Sequence, residues 1–488
     1  MFDRATRSYA PALSAWLPAI LVGSAVYALL VGAGGRLLND ADTYWHVAVG
    51  QSILGGGSFP YTDGFSFTKA GTPWIAKEWL SQVVFALAFK GAGWGGVVAL
   101  AAAAGALAFA MLARALFAAI SPAPALVLLS AALALSAPHL LARPHILALP
   151  VLVAWSATLL NAAASRSAPP LALAGLMVLW ANLHGGFLFG LALAGFVALE
   201  AVAQAPRPER AALLARWGRF LALSAAAACA TPYGAQTIAA ALRVLGIGSG
   251  LGVIAEWQPQ SFARFSTFEG LLLLGMGFAF ARGFVVRPVT RLAALLGIIY
   301  LALNHTRYSE LVAFVGPLLL IPSLGILSGA PVRMPGSSRL SLLATCGAIA
   351  ALFVASATLP TRGFAPAQAI TPAAAVAALR EQGSRRIFND YNFGGYLIAV
   401  GIPTFIDGRT ELYGGPFVKR YFSAVTLSDP ADFRALLDEY RIDGVLLSPR
   451  LAAARFLDGA PEWNCLYRDA VSVAYAKAPR ALASSAPR

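Results

Sequence analysis

The chain has 488 residues, 58% of them hydrophobic and only 12% charged, with a formal net charge of +14. An ordinary soluble domain carries about 25% charged residues, so this composition excludes a simple soluble enzyme and indicates a multi-pass membrane protein. Nucleic acid is excluded as the reason for the positive charge, because residues 1–365 carry their 22 Lys and Arg mostly in short loops, without a basic stripe interleaved with aromatics.

Apolar segments lie near 13–34, 94–118, 122–137, 145–162, 170–183, 186–204, 212–230, 266–282, 290–304, 309–328 and 340–359. They predict a polytopic α-helical membrane domain over residues 1–365 with about eleven transmembrane helices. The first stretch, roughly Leu13 to Val31, is long enough to span and reads as a span rather than a secretory signal. Cys229, Cys346 and Cys465 offer no disulfide framework and no zinc spacing.

The first outer loop, about 35–93, is too long for a simple connector. Within it "DADTYWHVAVGQSIL" predicts a helix along the interface, with Asp42, Trp45 and His46 at i, i+3 and i+4 on one face. "AKEWLSQVVFALAFK" predicts a second, amphipathic helix carrying Glu78 and Trp79. The turn-rich, aromatic stretch between them suits gripping a ligand or headgroup, or sealing the top of a bundle.

Further along, "SAPHLLARPHILALP" interrupts its apolar run with His139, Arg143 and His145, and "LWANLHGGFLFGL" sets Asn182 and His184 before a glycine pair. Both read as broken helices, tolerated at membrane depth only where protein buries them or a cavity is lined. "ALNHTRYSELVAF" adds His305, Arg307 and Glu310.

Orientation follows from the arginines. With Arg4 and Arg7 inside, the inner loops and helix ends hold Arg114, Arg166, Arg207, Arg210, Arg216, Arg219, Arg282, Arg287, Arg291, Arg333 and Arg339. The N-terminus is then cytoplasmic, and an odd number of spans leaves residues 366–488 outside. That tail holds 14 basic and 12 acidic residues and predicts a small soluble extracytoplasmic α/β domain. "RRIFND", "IPTFID", "DGVLLS" and "VSVAYAK" read as its strands, with helices such as "DPADFRALLDEY" between them.

In this topology all five histidines (His46, His139, His145, His184 and His305) fall at outer ends of spans, as do Arg143, Asn182, Glu256, Arg307 and Glu310. Ionisable groups near hydrocarbon are costly, so a one-sided set of them points to a site; individually each also fits a headgroup anchor or a cap. Arg143 and Arg307 suit a phosphate, since guanidinium donates two parallel hydrogen bonds and stays charged. In the tail, Asn389, Tyr396, Asp407 and Arg409 follow short strands, either as turn residues or as a face over the membrane site.

The stretch "NDADTYWHVAVGQSILGGGSFPYTDGFSFTKAGTPWIAKEWL", with "RPH", "WANLHGGFLFG", "TPYG", "NHTRY", "FNDYNFGGYLI" and "FIDGRTELYG", resembles bacterial GT-C superfamily membrane glycosyltransferases. The resemblance implies a sugar taken from a polyprenyl-phosphate or polyprenyl-diphosphate donor at the outer face of the plasma membrane. It also implies an acidic residue after the first span, here Asp42 or Asp40, acting as base or positioning the acceptor. The chain has "AKEW" where a Lys-Pro-Pro stretch often stands in the arabinose- and mannose-transferring branches, so sugar and acceptor (glycan, lipid or protein) stay open.

Inverting transfer needs a base for the acceptor hydroxyl and charge compensation for the departing phosphate. Asp42 is the first choice for the base and Asp40 the second. Tyr44, His46, Glu78 and Trp79 are candidates on the acceptor side of the first outer loop. Arg143, His145, His305 and Arg307 are candidates for the donor phosphate, and His139, Asn182, His184 and Glu256 for the cavity lining. "DAD" also resembles a metal-binding DxD, while Asp40 fits a helix N-cap equally well, so a divalent metal there stays open. Two rivals are a flippase or transporter for a lipid-linked saccharide and a non-catalytic glycan-assembly protein.

Overall fold

A computed structural model describes residues 11–56, 59–245, 252, 254–328 and 339–478. Arg4, Arg7 and Arg333, on which part of the orientation reading rests, lie outside them. The chain divides into two compact units, one of residues 1–37, 77–241 and 254–365, the other of residues 38–76, 242–253 and 366–488. The predicted first outer loop is therefore shared: its residues 38–76 cluster with the C-terminal residues.

The first unit is helical. Every apolar segment of the sequence coincides with helix: Pro11–Gly32, Trp79–Ala119, Pro122–Ser136, Pro144–Ala164, Ala174–Leu183, Phe187–Gln204, Arg210–Ala228, Thr267–Arg282, Val289–Asn304, Ser309–Phe314 with Gly316–Ser328, and Arg339–Ala357. Among the described residues five helices are long and apolar enough to cross a membrane, and four shorter apolar helices accompany them. The protein is a multi-pass membrane protein.

Small residues let these helices approach closely, as they do where lipid offers no hydrophobic drive for helix association. A β-carbon on Gly23 would stand 3.0 Å from Ala110 Cβ, and one on Gly105 would stand 2.9 Å from Leu30 Cδ1. Arg291 is not a free orientation charge. It is buried, donating from Nε to Glu200 (3.1 Å) and from Nη2 to the Leu160 carbonyl (3.1 Å), while Thr290 donates to the second Glu200 oxygen (2.8 Å).

The Trp79–Ala119 helix contains the predicted amphipathic segment and the second span in one element. Its continuity breaks at Ala92 (φ −149°, ψ 27°) and Gly93 (φ 56°, ψ −148°), the latter a conformation only glycine adopts readily.

The second unit carries a four-stranded sheet in the order β1 (Ile387–Asn389), β2 (Gly444–Leu447), β4 (Val473–Lys477), β3 (Trp463–Arg468). β1 and β2 are parallel, with Phe388 opposite Val445; β4 runs antiparallel to both neighbours. All four residues of β2 are buried, as expected of a central strand covered on both faces. Ala375, Val376, Leu379, Phe393 and Leu397 pack with Ile387, Leu446 and Ala474 in its core.

Two strand expectations change. "IPTFID" is not a sheet strand: Thr404 instead exchanges backbone hydrogen bonds with the first outer loop, donating to the Phe65 carbonyl (3.0 Å) and accepting from Phe67 N–H (3.1 Å). The edge strand β3, "WNCLYR", was not predicted; only Trp463 of its six residues is buried, so it lacks the apolar alternation that marks a strand.

Candidate functional site

Chain breaks at helix ends bring together the first-unit residues that the sequence places at outer helix ends. After the Pro122–Ser136 helix, one 3-10 turn at Ala137–His139 leads to Arg143, extended ahead of Pro144. Proline at the first helical position needs no hydrogen-bond partner for a missing N–H and fixes the helix start. A second break at Asn304–Ser309 carries His305 and Arg307, and a short 3-10 turn at Ala255–Trp257 carries Glu256.

Glu256 is the meeting point. Arg143 Nη1 donates to its Oε2 (2.9 Å) and Arg307 Nη1 to its Oε1 (3.3 Å). Burial opposes ionisation of Glu256, but the two guanidinium groups outweigh it and hold the carboxyl down to about 2. Arg307 also stacks over the Trp257 ring at 4.4 Å, and His305 donates from Nδ1 to the Trp257 carbonyl (2.7 Å). The side chains of Arg143, Glu256 and Arg307 are 19%, 28% and 25% exposed, so this doubly cationic, singly anionic cluster is reachable. His145 donates from Nε2 to the His139 carbonyl (2.7 Å), which ties both to the same corner.

Beside it, His184 interrupts the helical path between Leu183 and Phe187. Its ring centre is 6.3 Å from that of His145; its Nδ1 accepts from Gly186 N–H (3.1 Å), and its Nε2 faces Glu78 at 3.7 Å. Burial, with His145, Arg307, Lys77 and Arg143 around it, pushes His184 well below the ordinary histidine range. Trp79 donates to Asn182 (2.6 Å), which donates in turn to the carbonyls of Val178 (2.7 Å) and Ala230 (3.0 Å). Asn182 is buried and acts as a clasp between three segments.

In the second unit the acidic turn begins the Asp42–Leu54 helix. Asp40 Oδ1 accepts from the Asp42 amide (2.8 Å), and Asp42 Oδ1 accepts from Trp45 Nε1 (2.9 Å), the i, i+3 contact expected from the sequence. Trp45 lies on buried His46 with ring centres 3.7 Å apart. Tyr44 hydrogen-bonds Thr371 (2.9 Å) and meets the edge of Tyr396 at 5.4 Å.

Two glycines of the C-terminal motifs seat this turn. A β-carbon on Gly395 would lie 2.0 Å from the Ala41 carbonyl oxygen, and one on Gly408 would lie 1.8 Å from Asp42 Oδ1. The residues flanking Gly408 are locked. Arg409 grips Asp407 through Nε and Nη2 (2.8 Å each) and reaches Asp63 through Nη1 (2.6 Å), with no side-chain exposure on any of the three. Tyr413 (2.6 Å) and Thr404 (2.9 Å) donate to Asp407 as well. Asn389 accepts from Phe405 N–H and donates to the Ile406 carbonyl (2.8 Å each). Asn389, Asp407 and Arg409 thus form a buried frame, and Tyr396 packs on the helix it supports.

The candidates therefore gather in two places: His139, Arg143, His145, Glu256, His305 and Arg307, with Glu78, Trp79, Asn182 and His184 adjoining, in the first unit; Asp40, Asp42, Tyr44, His46 and Tyr396 in the second. Among the described residues no three of His, Cys, Asp and Glu are grouped to hold a metal ion. The seating glycines Gly395 and Gly408 escaped the sequence reading, although their motifs did not, because close approach has no local signature.

The fold is similar to that of a solved archaeal oligosaccharyltransferase. The oligosaccharyltransferase AglB of Archaeoglobus fulgidus, solved with an inhibitory peptide and a dolichol-phosphate, superposes over 94% of this chain and 74% of its own, with TM-score 0.51 and 12% identity. ArnT of Cupriavidus metallidurans, solved with undecaprenyl phosphate, matches 96% of this chain and 99% of its own at TM-score 0.49 and 12% identity. The fold assignment rests on the first of these. No protein-family model and no curated protein sequence matches the chain.

Proposed function

We propose that this protein is a GT-C-type glycosyltransferase of the plasma membrane. It moves a sugar from a polyprenyl-phosphate donor to an acceptor hydroxyl of a glycan, lipid or protein at the outer face, with the N-terminus cytoplasmic and the C-terminal domain outside. Arg143 and Arg307 hold the donor phosphate, exchanging Glu256 for the phosphate oxygens, and His145 and His305 support them. Asp42, with Asp40 as the alternative, takes the acceptor proton as its oxygen attacks C1. The C1–oxygen bond to phosphate breaks with inversion, and polyprenyl phosphate leaves with the bonding electrons.

The observation that carries this reading is the pair of partly exposed guanidinium groups converging on one exchangeable carboxylate. A guanidinium pair suits the phosphate, a singly charged diester in the donor and a dianion once the sugar has left, through its parallel donors and its double charge. The fold shared with an enzyme solved with a lipid phosphate supports the same substrate class.

The test is sugar transfer from a panel of polyprenyl-phosphate sugars by purified protein, beside Asp42→Asn and Arg143→Ala/Arg307→Ala. Expected are loss of transfer with lipid still bound in the first variant and loss of lipid binding in the second. Lipid bound without transfer by the wild type would move the assignment to the flipping or assembly-protein readings.

A further inference from the structure

One carboxylate of the first unit is left without work by this scheme. Glu310 opens the Ser309–Phe314 helix, three residues after Arg307. Its Oε1 is buried and accepts no hydrogen bond among the described residues. His145 Nε2 lies 3.5 Å from it, and that nitrogen already donates to the His139 carbonyl at 2.7 Å. A carbonyl oxygen only accepts, so the Nε2 proton is committed there and Glu310 Oε1 is an acceptor facing no donor. Leaving a buried carboxyl oxygen unsatisfied is expensive, and such an atom calls for an explanation.

Its surroundings identify the missing donor. Arg143, Glu256 and Arg307 lie within electrostatic reach of Glu310. Glu310 and His145 keep 13% and 16% of their side-chain surface exposed, so a small group can reach them. A hydroxyl can donate to the unsatisfied oxygen, accept from the carboxyl in turn, and brings no charge into the buried corner. What is needed is a neutral, hydroxyl-bearing group held next to a phosphate, and a sugar attached through its C1 oxygen to a lipid phosphate has that form.

We infer that Glu310 is a sugar-recognition residue, accepting a hydroxyl of the monosaccharide carried by the lipid phosphate that Arg143 and Arg307 bind. The inference rests on the donor class proposed above. It assigns Glu310 to discrimination between sugar-bearing and bare lipid, with no part in bond making. Sites that hydrogen-bond a substrate hydroxyl reject analogues lacking it far more strongly than apolar pockets do.

The experiment measures equilibrium binding of polyprenyl phosphate and of polyprenyl-phosphate glucose, mannose, galactose and arabinose to wild type, Glu310→Ala and Glu310→Gln in detergent. Expected is a wild type that binds at least one sugar-bearing lipid about tenfold or more tightly than the bare lipid. That preference disappears in Glu310→Ala and shrinks in Glu310→Gln, while affinity for bare polyprenyl phosphate stays unchanged in both. Equal weakening for bare and sugar-bearing lipids would make Glu310 a structural member of the arginine cluster and overturn the inference. So would a preference that survives Glu310→Ala, or a wild type that binds all lipids alike. Failure of the wild type to bind any of them would instead remove the donor class, and this inference with it.

Discussion

Asp42 Oδ1 and Gly408 are so close that a β-carbon on the glycine would stand 1.8 Å from the carboxylate oxygen. The backbone of the "IDGRTELYG" motif therefore forms one wall of the Asp42 carboxylate, and any side chain at 408 must displace one or the other. If Asp42 is the base, Gly408→Ala misplaces it on the order of an ångström and lowers transfer by about 100-fold. The check is kcat against KM: a fall in kcat with donor binding retained is expected, and unchanged kcat would remove Asp42 from the chemistry.

Arg307 is fixed by geometry as well as charge, through Glu256 at 3.3 Å and the Trp257 face at 4.4 Å. Lysine keeps the charge but neither the planar stack nor the two-pronged donation. Arg307→Lys is expected to raise the KM for polyprenyl-phosphate sugar by about tenfold, with salt weakening binding further. Full rescue by lysine would reduce the site to a point charge.

The Asp63–Arg409–Asp407 frame makes stability of the second unit acid-sensitive. Burial opposes ionisation of Asp407, yet Arg409 and the donors around it hold the carboxyl below the usual carboxylate range. A group with a depressed folded-state pKa stabilises fully above its unfolded value, about 3.9, and that contribution is lost as pH falls through the folded one. Melting of the wild type should therefore drop steeply below about pH 4, and Asp407→Asn should flatten that drop while being less stable at pH 7. Tryptophan fluorescence melts across pH give the comparison.

The buried Glu200–Arg291 pair answers to a different rule. Removing one partner leaves an uncompensated charge, so Glu200→Ala should cost about 3–5 kcal/mol. Glu200→Leu with Arg291→Met should recover most of that loss, since apolar replacement of a buried pair is often neutral. Thermal unfolding of the three forms in one detergent decides the matter, and a double variant no better than Glu200→Ala would show that the pair is needed as such.

Much of the first unit was legible because a bilayer imposes length and hydrophobicity on each helix separately. The eleven apolar segments each carry their own signal, and the breaks at Arg143–Pro144 and His184–Gly186 show in proline, glycine and charge. The polar cluster was legible for the same reason: alternation of spans puts Arg143, Glu256 and Arg307 at the same end of the helices. What sequence withheld is long-range. Nothing local to "FSFTKAG" says that its backbone pairs with Thr404, and nothing in "DADTYW" says that Gly395 and Gly408 close on it from more than 350 residues away. Glu310 looked like one more helix-end carboxylate until its neighbour's proton was accounted for.

The break at Ala92 and Gly93 leaves 26 residues, Trp94 to Ala119, as one rod of about 39 Å at 1.5 Å per residue. A bilayer core of about 30 Å is thinner than that, a mismatch that a helix relieves by tilting, kinking or thickening the lipid around it. The segment before the break carries Glu78, Trp79 and Ser81 and joins the rod at its N-terminal end; in it Trp79 holds Asn182 and Ser81 holds the Leu183 carbonyl (2.8 Å). Acyl-chain length thereby becomes a ruler for the height of the His184 corner. Transfer rates in bilayers of graded thickness are expected to peak at one of them, so the membrane would set the working distance as well as supply the substrate.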